Sequence, residues 1–366
     1  MENFKSLIKK YQNFDYDSFS LITNIDSRLK IVCIAQSMYN MFFKKSLLEI
    51  DLEKTNSTEL VFILNIILII LKKQALVYDF KKFDENIIFR LNVSTPQSNN
   101  YKDKIKLLLE TNKEYLLKPK FLCDNEICDN EICYNEICDN EIDLVLSGGG
   151  NAGFYGVGSL DIIKNTEIVV NRISGVSVGA WVGFFYYANI DSIEVINLYM
   201  QIYDYYNNSE IKLPQLQFMY ESWRSCIVNL IDENMYKKCN DKFFIGYTEI
   251  NSNGAEFKVK SNFTSNEDLY LTCMASAAIP YLSIEGTCII MDGKKVMDGG
   301  LIQHEYFFED KKYNQLFINH KDISYSPEKL LLPIDDEFDK LLYSGAEDMM
   351  TFLKSGYSKH ISLIKK

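Results

Sequence analysis

The sequence predicts an α/β layer fold, and three observations predict it: an apolar strand that ends in a glycine turn, a helix-compatible segment behind it, and a β-branched strand that ends in a second glycine turn. Asp143–Leu146 is the first strand and runs into Ser147-Gly148-Gly149-Gly150-Asn151-Ala152-Gly153. A helix fits from about Gly153 to Lys164. Ile168–Ile173 returns as a strand and ends in Gly175-Val176-Ser177-Val178-Gly179, with small and apolar residues after it. Strand, turn, helix, strand, turn, helix opens a mostly parallel sheet, and both turns fall at carboxyl ends of strands, where such sheets hold their sites.

The first turn collects backbone donors. Its glycines let a ligand approach the main chain, and the helix opening near Gly153 leaves its first N–H groups unpaired, so the turn is an anion site. The second fits G-x-S-x-G, a sharp bend that lifts one serine hydroxyl, that of Ser177, above the sheet. Donors beside a displayed hydroxyl suit acyl transfer, because the attack creates an oxyanion. Gly148, Gly150 and Gly153 also satisfy G-x-G-x-x-G, the dinucleotide-binding fingerprint. That reading expects a carboxylate about 20 residues on, at the end of the second strand. The nearest acids, Glu167 and Asp191, lie before that strand and inside the next helix, which favours acyl transfer.

Two further stretches complete a set: Ala275-Ser276-Ala277-Ala278-Ile279-Pro280 and Asp298-Gly299-Gly300. With the two turns, and in this order, they resemble the patatin-like phospholipases. The resemblance covers residues 143–310 clearly, extends toward 355, and reaches nothing before 120. It implies a three-layer fold with a central, mostly parallel sheet and a serine–aspartate dyad. Ser177 would be the nucleophile, Asp298 its partner, and the backbone of Gly148, Gly149 and Gly150 the oxyanion hole, with Gly153, Gly175, Gly179, Gly299 and Gly300 supporting the motifs. One position departs: the family usually carries Arg or Lys where this chain has Ala152. By itself Asp298 would read as a turn or cap aspartate. A serine–aspartate–histidine triad is the rival chemistry and could draw on His304, His320 or His360; His304, six residues past Asp298, is the best placed, while surface exposure is expected of all three.

Along the chain, residues 1–120 read as a mainly helical region that carries no recognisable chemistry. Ile31, Ile34, Ala35, Met38, Met41 and Phe42 recur at helical spacing. Asn56 and Glu59 stand at capping-box spacing before Leu60–Leu71, the most apolar run in the chain. As a helix these twelve residues would span about 18 Å, against roughly 30 Å of bilayer hydrocarbon, so the run does not cross a membrane. Ile87–Val93 reads as a strand and Tyr101–Leu117 as a lysine-rich helix.

Residues 121–142 are an acidic repeat linker in which Cys-Asp-Asn-Glu-Ile recurs with Tyr134 in place of one aspartate. Cys123, Cys128, Cys133 and Cys138 invite a metal reading. A five-residue step turns successive thiols about 140° apart on a helix and alternates faces on a strand, so no regular structure gathers them, and no metal is expected. The stretch Asp124–Asp143 carries −8 of the formal charge of −11. The acidic balance therefore says little about substrate, and the lack of any basic stripe argues against nucleic acid. Without an export signal at Met1–Lys5, the odd count of nine cysteines favours free thiols and a cytoplasmic protein.

Within the hydrolase region, 143–366, a helix follows Ser177 to Ala188. Its residues Trp181, Phe184, Phe185, Tyr186 and Tyr187 suit core packing more than an acyl pocket. Asp191–Tyr206 is helical, and Leu213–Asn240 is too irregular to assign. Phe243–Ile250 and Ala255–Lys260 form a hairpin about Asn251–Gly254, Asn266–Ala278 is a helix, and Cys288–Met291 with Lys295–Met297 form a second hairpin that leaves Asp298 on a strand exit. Leu316–Asn319 is a strand, and Pro333–Lys354 is a closing helix with acids at its start. The expected protein is a calcium-independent lipid acyl hydrolase without cofactor, acting on phospholipid or neutral glycerolipid at a membrane or lipid-droplet surface that it meets peripherally. The alternative is a lipid-binding or regulatory protein that keeps the fold and lacks the rate.

Overall fold

The computed structural model describes residues 96–117, 119, 140–208, 215–227, 231–251, 254–279, 283–284, 288–320, 323 and 338–366. The helical pattern at 20–50, the apolar run 60–71, the strand expected at 87–93, the four repeat cysteines and the acids at 335–337 lie outside them.

Two helices precede the sheet, α1 (Pro96–Thr111) and α2 (Lys113–Leu117). They divide the helix expected at 101–117 at Asn112, whose side chain donates to the Leu108 carbonyl and whose carbonyl accepts from Tyr115. Then come β1 (Glu141–Leu146), α3 (Gly153–Ile163), β2 (Val169–Val176), α4 (Val178–Tyr187), α5 (Ser192–Asn207), α6 (Gln215–Ile227) and α7 (Met235–Cys239). β3 (Phe243–Asn251), β4 (Gly254–Lys260), α8 (Asn266–Ser276), β5 (Ile289–Met291), β6 (Lys294–Asp298), β7 (Asn314–Ile318), α9 (Phe338–Ser355) and β8 (Ile361–Ile364) complete the series. Helices α6 and α7 occupy the stretch that sequence left unassigned, and β8 was not anticipated.

The sheet runs β5-β6-β3-β2-β1-β7-β8, with β4 also paired to β3. Its centre, β3-β2-β1-β7, is parallel, and antiparallel strands finish both sides. Every residue of β1 from Ile142 to Leu146 is buried, as expected of a parallel strand covered on both faces. Asp143 sits among them at no cost in unpaired charge, because Arg172 of β2 grips both of its carboxylate oxygens, at 2.9 and 2.5 Å. Helix α9 buries Phe338, Leu341, Leu342, Ala346, Met349, Met350 and Leu353, the three- and four-residue steps of an amphipathic helix, and lies along α3. Helix α8 starts at Ser265, whose hydroxyl accepts the Asp268 N–H at 3.0 Å.

The pairing of β3 explains where the site falls. β4 follows one edge of β3 continuously from Ile245 to Asn251. On the other edge β2 pairs as far as Val176–Gly246, and β6, running the opposite way, takes over at Tyr247–Asp298. Two strands therefore meet head to head along one edge. The residue after one end is Ser177, and the last residue of the other is Asp298.

The core also reaches across the repeat. Tyr101 of α1 is buried and donates its hydroxyl to Asp161 of α3 at 2.7 Å, and α1 packs on α5 and α9. The two flanks of the repeat meet at one residue: the Leu116 carbonyl accepts the Glu167 N–H at 3.4 Å, and Asn140 Nδ2 donates to the Glu167 carbonyl at 2.7 Å. Helices α1 and α2 thus pack onto the region that sequence assigned to 143–366, and Glu141 and Ile142, placed in the linker, open β1.

Candidate active site

Ser177 stands between β2 and α4 with φ 55° and ψ −123°, a conformation that costs a non-glycine residue strain and that the surrounding packing must hold. Gly175 and Gly179 make the bend feasible: a Cβ on Gly175 would lie 2.5 Å from the Gly179 carbonyl oxygen, and one on Gly179 would lie 2.4 Å from that of Leu146. The Ser177 N–H donates to Ser276 Oγ at 2.8 Å, and Ser276 donates in turn to the Gly246 carbonyl at 2.5 Å. Ser276, at the end of α8, thereby ties the elbow to β3. It lies within a stretch that sequence had singled out, but its role needed the fold.

The Ser177 hydroxyl donates to Asp298 Oδ2 at 2.6 Å. The other carboxylate oxygen accepts the Gly300 N–H at 2.6 Å, the Asp298 N–H donates to the Ala278 carbonyl at 3.0 Å, and Thr248 Oγ1 donates to the Asp298 carbonyl at 2.8 Å. Only 2 % of Asp298 is exposed. Burial pushes its carboxyl up to about 7, against the opposing pull of the Ser177 and Gly300 hydrogen bonds. A carboxyl that titrates near neutrality, bonded to a serine hydroxyl, can accept that proton.

The glycine turn faces Ser177 but divides its labour. The Gly148 N–H donates to the His304 carbonyl at 2.8 Å, which removes it from the expected oxyanion hole. Among the described residues the N–H groups of Gly149 and Gly150 have no backbone acceptor, and these two remain as donors. Ala152 is fully buried in the short 3-10 turn Gly150–Ala152.

Beside Ser177 opens a pocket of about 600 Å³, counting the space at its mouth. Gly150, Asn151 and Ser177 stand on its wall with Phe154, Val157, Trp181, Val182, Phe185, Tyr199, Met219 and Trp223. Trp181 stacks on Tyr220 at 5.0 Å and meets Trp223 edge-on at 5.2 Å. Core packing holds for Phe184, whereas Trp181 and Phe185 line the pocket. Helix α6, which sequence did not resolve, supplies Met219, Tyr220 and Trp223. The lining is apolar and aromatic, the usual character of a pocket that holds the hydrophobic part of a ligand.

The histidines depart from the expected surface positions. His320 is fully buried, and His304 and His360 are partly covered. The Ser177 hydroxyl donates its hydrogen bond to the Asp298 carboxylate.

Fold and site together define an α/β layer protein with a serine displayed on a strand-to-helix elbow against a buried carboxyl. Residues 144–304 match the family model described as patatin-like phospholipase, and this segment is a patatin-like phospholipase domain. The family is one of lipid acyl hydrolases. No individual curated protein matches the chain.

Proposed function

We propose that this protein hydrolyses carboxylic esters of phospholipids or neutral glycerolipids through Ser177 and Asp298. The observation that carries the reading is the 2.6 Å hydrogen bond from Ser177 to a buried carboxyl beside an apolar, aromatic-lined pocket. Ser177 Oγ attacks the ester carbonyl carbon as its proton passes to Asp298 Oδ2, and the oxyanion so formed takes the N–H groups of Gly149 and Gly150. Collapse of the intermediate breaks the ester C–O bond, and the leaving alkoxide takes the proton from Asp298. Asp298 then accepts a proton from water as that water attacks the acyl-serine, and returns it to Ser177 as the fatty acid leaves. The acyl chain lies in the pocket while the head group stays toward solvent. Every step uses side-chain and backbone groups of this chain, so activity should survive a calcium chelator.

The test gives purified protein mixed phospholipid–detergent micelles, a neutral glycerolipid and, separately, a fluorophosphonate that traps activated serines. Wild type should release fatty acid in chelator and take the probe. Ser177→Ala should do neither, and His304→Ala should do both. Loss of activity in chelator with recovery on adding calcium, or a His304→Ala loss equal to that of Ser177→Ala, would sink the mechanism. Vesicle binding without hydrolysis or labelling would favour the non-catalytic alternative, which the departure at Ala152 motivates.

A further inference from the structure

His320 is a fully buried titratable side chain near the site that the chemistry above leaves unused. It follows β7 and lies beneath the glycine turn. Its backbone N–H donates to Ser147 Oγ at 2.7 Å, and its ring Nδ1 lies 2.6 Å from the Ser147 carbonyl oxygen. A carbonyl only accepts, so Nδ1 carries the proton and the imidazole is the donor. Nε2 is then the unprotonated nitrogen, buried and, among the described residues, without a hydrogen-bond partner. It faces α3 where only glycine leaves room: a Cβ on Gly156 would lie 2.3 Å from Nε2. On its other side the residue fits flush against the turn, since a Cβ on Gly149 would lie 2.8 Å from His320 Cβ and 3.0 Å from its carbonyl carbon.

The consequence for the turn is specific. Both oxygens of Ser147 are fixed by His320, the Gly148 N–H is fixed by the His304 carbonyl, and Gly149 is pressed on the His320 backbone. The next N–H groups in the chain, those of Gly149 and Gly150, are the ones assigned above to the oxyanion. We propose that His320 is a positioning residue that clamps the Ser147–Gly149 turn from below, so that the Gly149 and Gly150 N–H groups are held toward Ser177 before substrate arrives. The proposal rests on the acyl-hydrolase reading for its catalytic consequence and on the structure for the clamp itself. Burial also pushes the imidazole down to about 4, so the clamp stays neutral, in its donating tautomer, across the range in which Asp298 titrates.

Donors that are fixed before the charge develops lower the barrier without changing ground-state binding. Two substitutions separate the roles. The amide of His320→Asn can place a donor near the Nδ1 position, while the longer His320→Gln places its amide near Nε2, away from Ser147. With micellar phospholipid, His320→Gln should lose about tenfold to a hundredfold in kcat with KM and the pH midpoint near 7 unchanged, and His320→Asn should recover most of it. A wild-type kcat in His320→Gln, a loss expressed in KM, or a displaced pH midpoint would overturn the proposal. Amide hydrogen exchange of the segment 147–153 reads the clamp without catalysis: exchange should quicken in His320→Gln and stay near wild type in His320→Asn, and equal protection in all three would overturn the clamp. If wild type releases no fatty acid, the functional reading falls, and the exchange result still decides the clamp. Should His320→Gln fail to fold, Ser147→Ala, which removes the hydroxyl that accepts the His320 N–H, should show the same faster exchange and a smaller fall in kcat; unchanged values for both would overturn the proposal.

Discussion

Asp298 and Asp161 each accept a hydrogen bond from a hydroxyl, Asp298 from Ser177 at 2.6 Å and Asp161 from Tyr101 at 2.7 Å. Burial raises both, to about 7 and about 6. Their neighbours differ. Asp161 also receives the Ser192 hydroxyl and has the ammonium of Lys164 close by, so its charged form is provided for, and its partner is a tyrosine whose own proton is held well above the usual range by burial. Asp298 has no such cation among its influences, its partner is a primary hydroxyl on a strained elbow, and an apolar pocket opens beside that hydroxyl. A raised carboxyl marks a joint between helices in one place and, in the proposed mechanism, a base in the other. The pocket and the unengaged backbone donors make the distinction.

The largest expected effect breaks the pair apart. Asp298→Asn should lower fatty-acid release by about a hundredfold to ten-thousandfold, because the amide cannot take the serine proton. Asp161→Asn should leave release close to wild type. A comparable loss in both would mean that Asp298 acts through structure alone.

The next contrast is in pH. Only ionised Asp298 accepts a proton, so activity should rise with pH through about 7. Stability runs the other way. A carboxyl whose folded pKa lies above its unfolded value contributes stability below the unfolded value and loses it as pH rises through the folded one. For Asp298 that window is from the ordinary 3.8 to about 7, and for Asp161 from 3.8 to about 6. Melting curves should therefore show Asp298→Asn gaining on wild type from pH 4 to pH 8, with the gain of Asp161→Asn complete by about pH 7. A gain that does not depend on pH would contradict the assigned shifts.

A smaller effect tests the joint. Tyr101→Phe removes a hydrogen bond to a carboxylate and should cost about 1.5 kcal/mol, seen as a lower Tm with activity retained. The smallest is proteolytic. Cleavage between 121 and 139 should yield two bands under denaturing conditions and one species in gel filtration, because α1 and α2 remain packed on the unit that follows. Separation of the fragments would show that this packing does not hold the halves together.

The parts of the fold that were legible in sequence carry their cause locally. β1, β2 and the hairpins show as β-branched or apolar runs between turn residues, and the site announces itself in short motifs whose glycines are required by the bends they make. Helix α6 was hidden because Glu221 and Ser222 are buried along with Met219, Tyr220 and Trp223, so the apolar period is interrupted by polar residues facing inward. β8 is four residues long with only Ile361 buried, too short for alternation to register. His320 and the loss of Gly148 as a donor were illegible for another reason: Ser147 lies 173 residues from His320, and the acceptor of Gly148 is the carbonyl of distant His304. Sequence singled out the glycine turn as a candidate site, and a tertiary contact engages one of its N–H groups, that of Gly148.

The meeting of both repeat flanks at Glu167 also bears on how this gene can change. Leu116 and Asn140 are held to the same residue, so the chain between them leaves and returns to one place. Adding or deleting a five-residue unit changes the length of that excursion and moves neither anchor, neither α1 nor β1. The entropy of closing a loop grows slowly, by only about 0.6 kcal/mol for each doubling in length. A tandem repeat is prone to gain and lose copies during replication, and here such a change would fall where the rest of the protein is nearly indifferent to it. A change in the number of units thus leaves the residues around Ser177 in register.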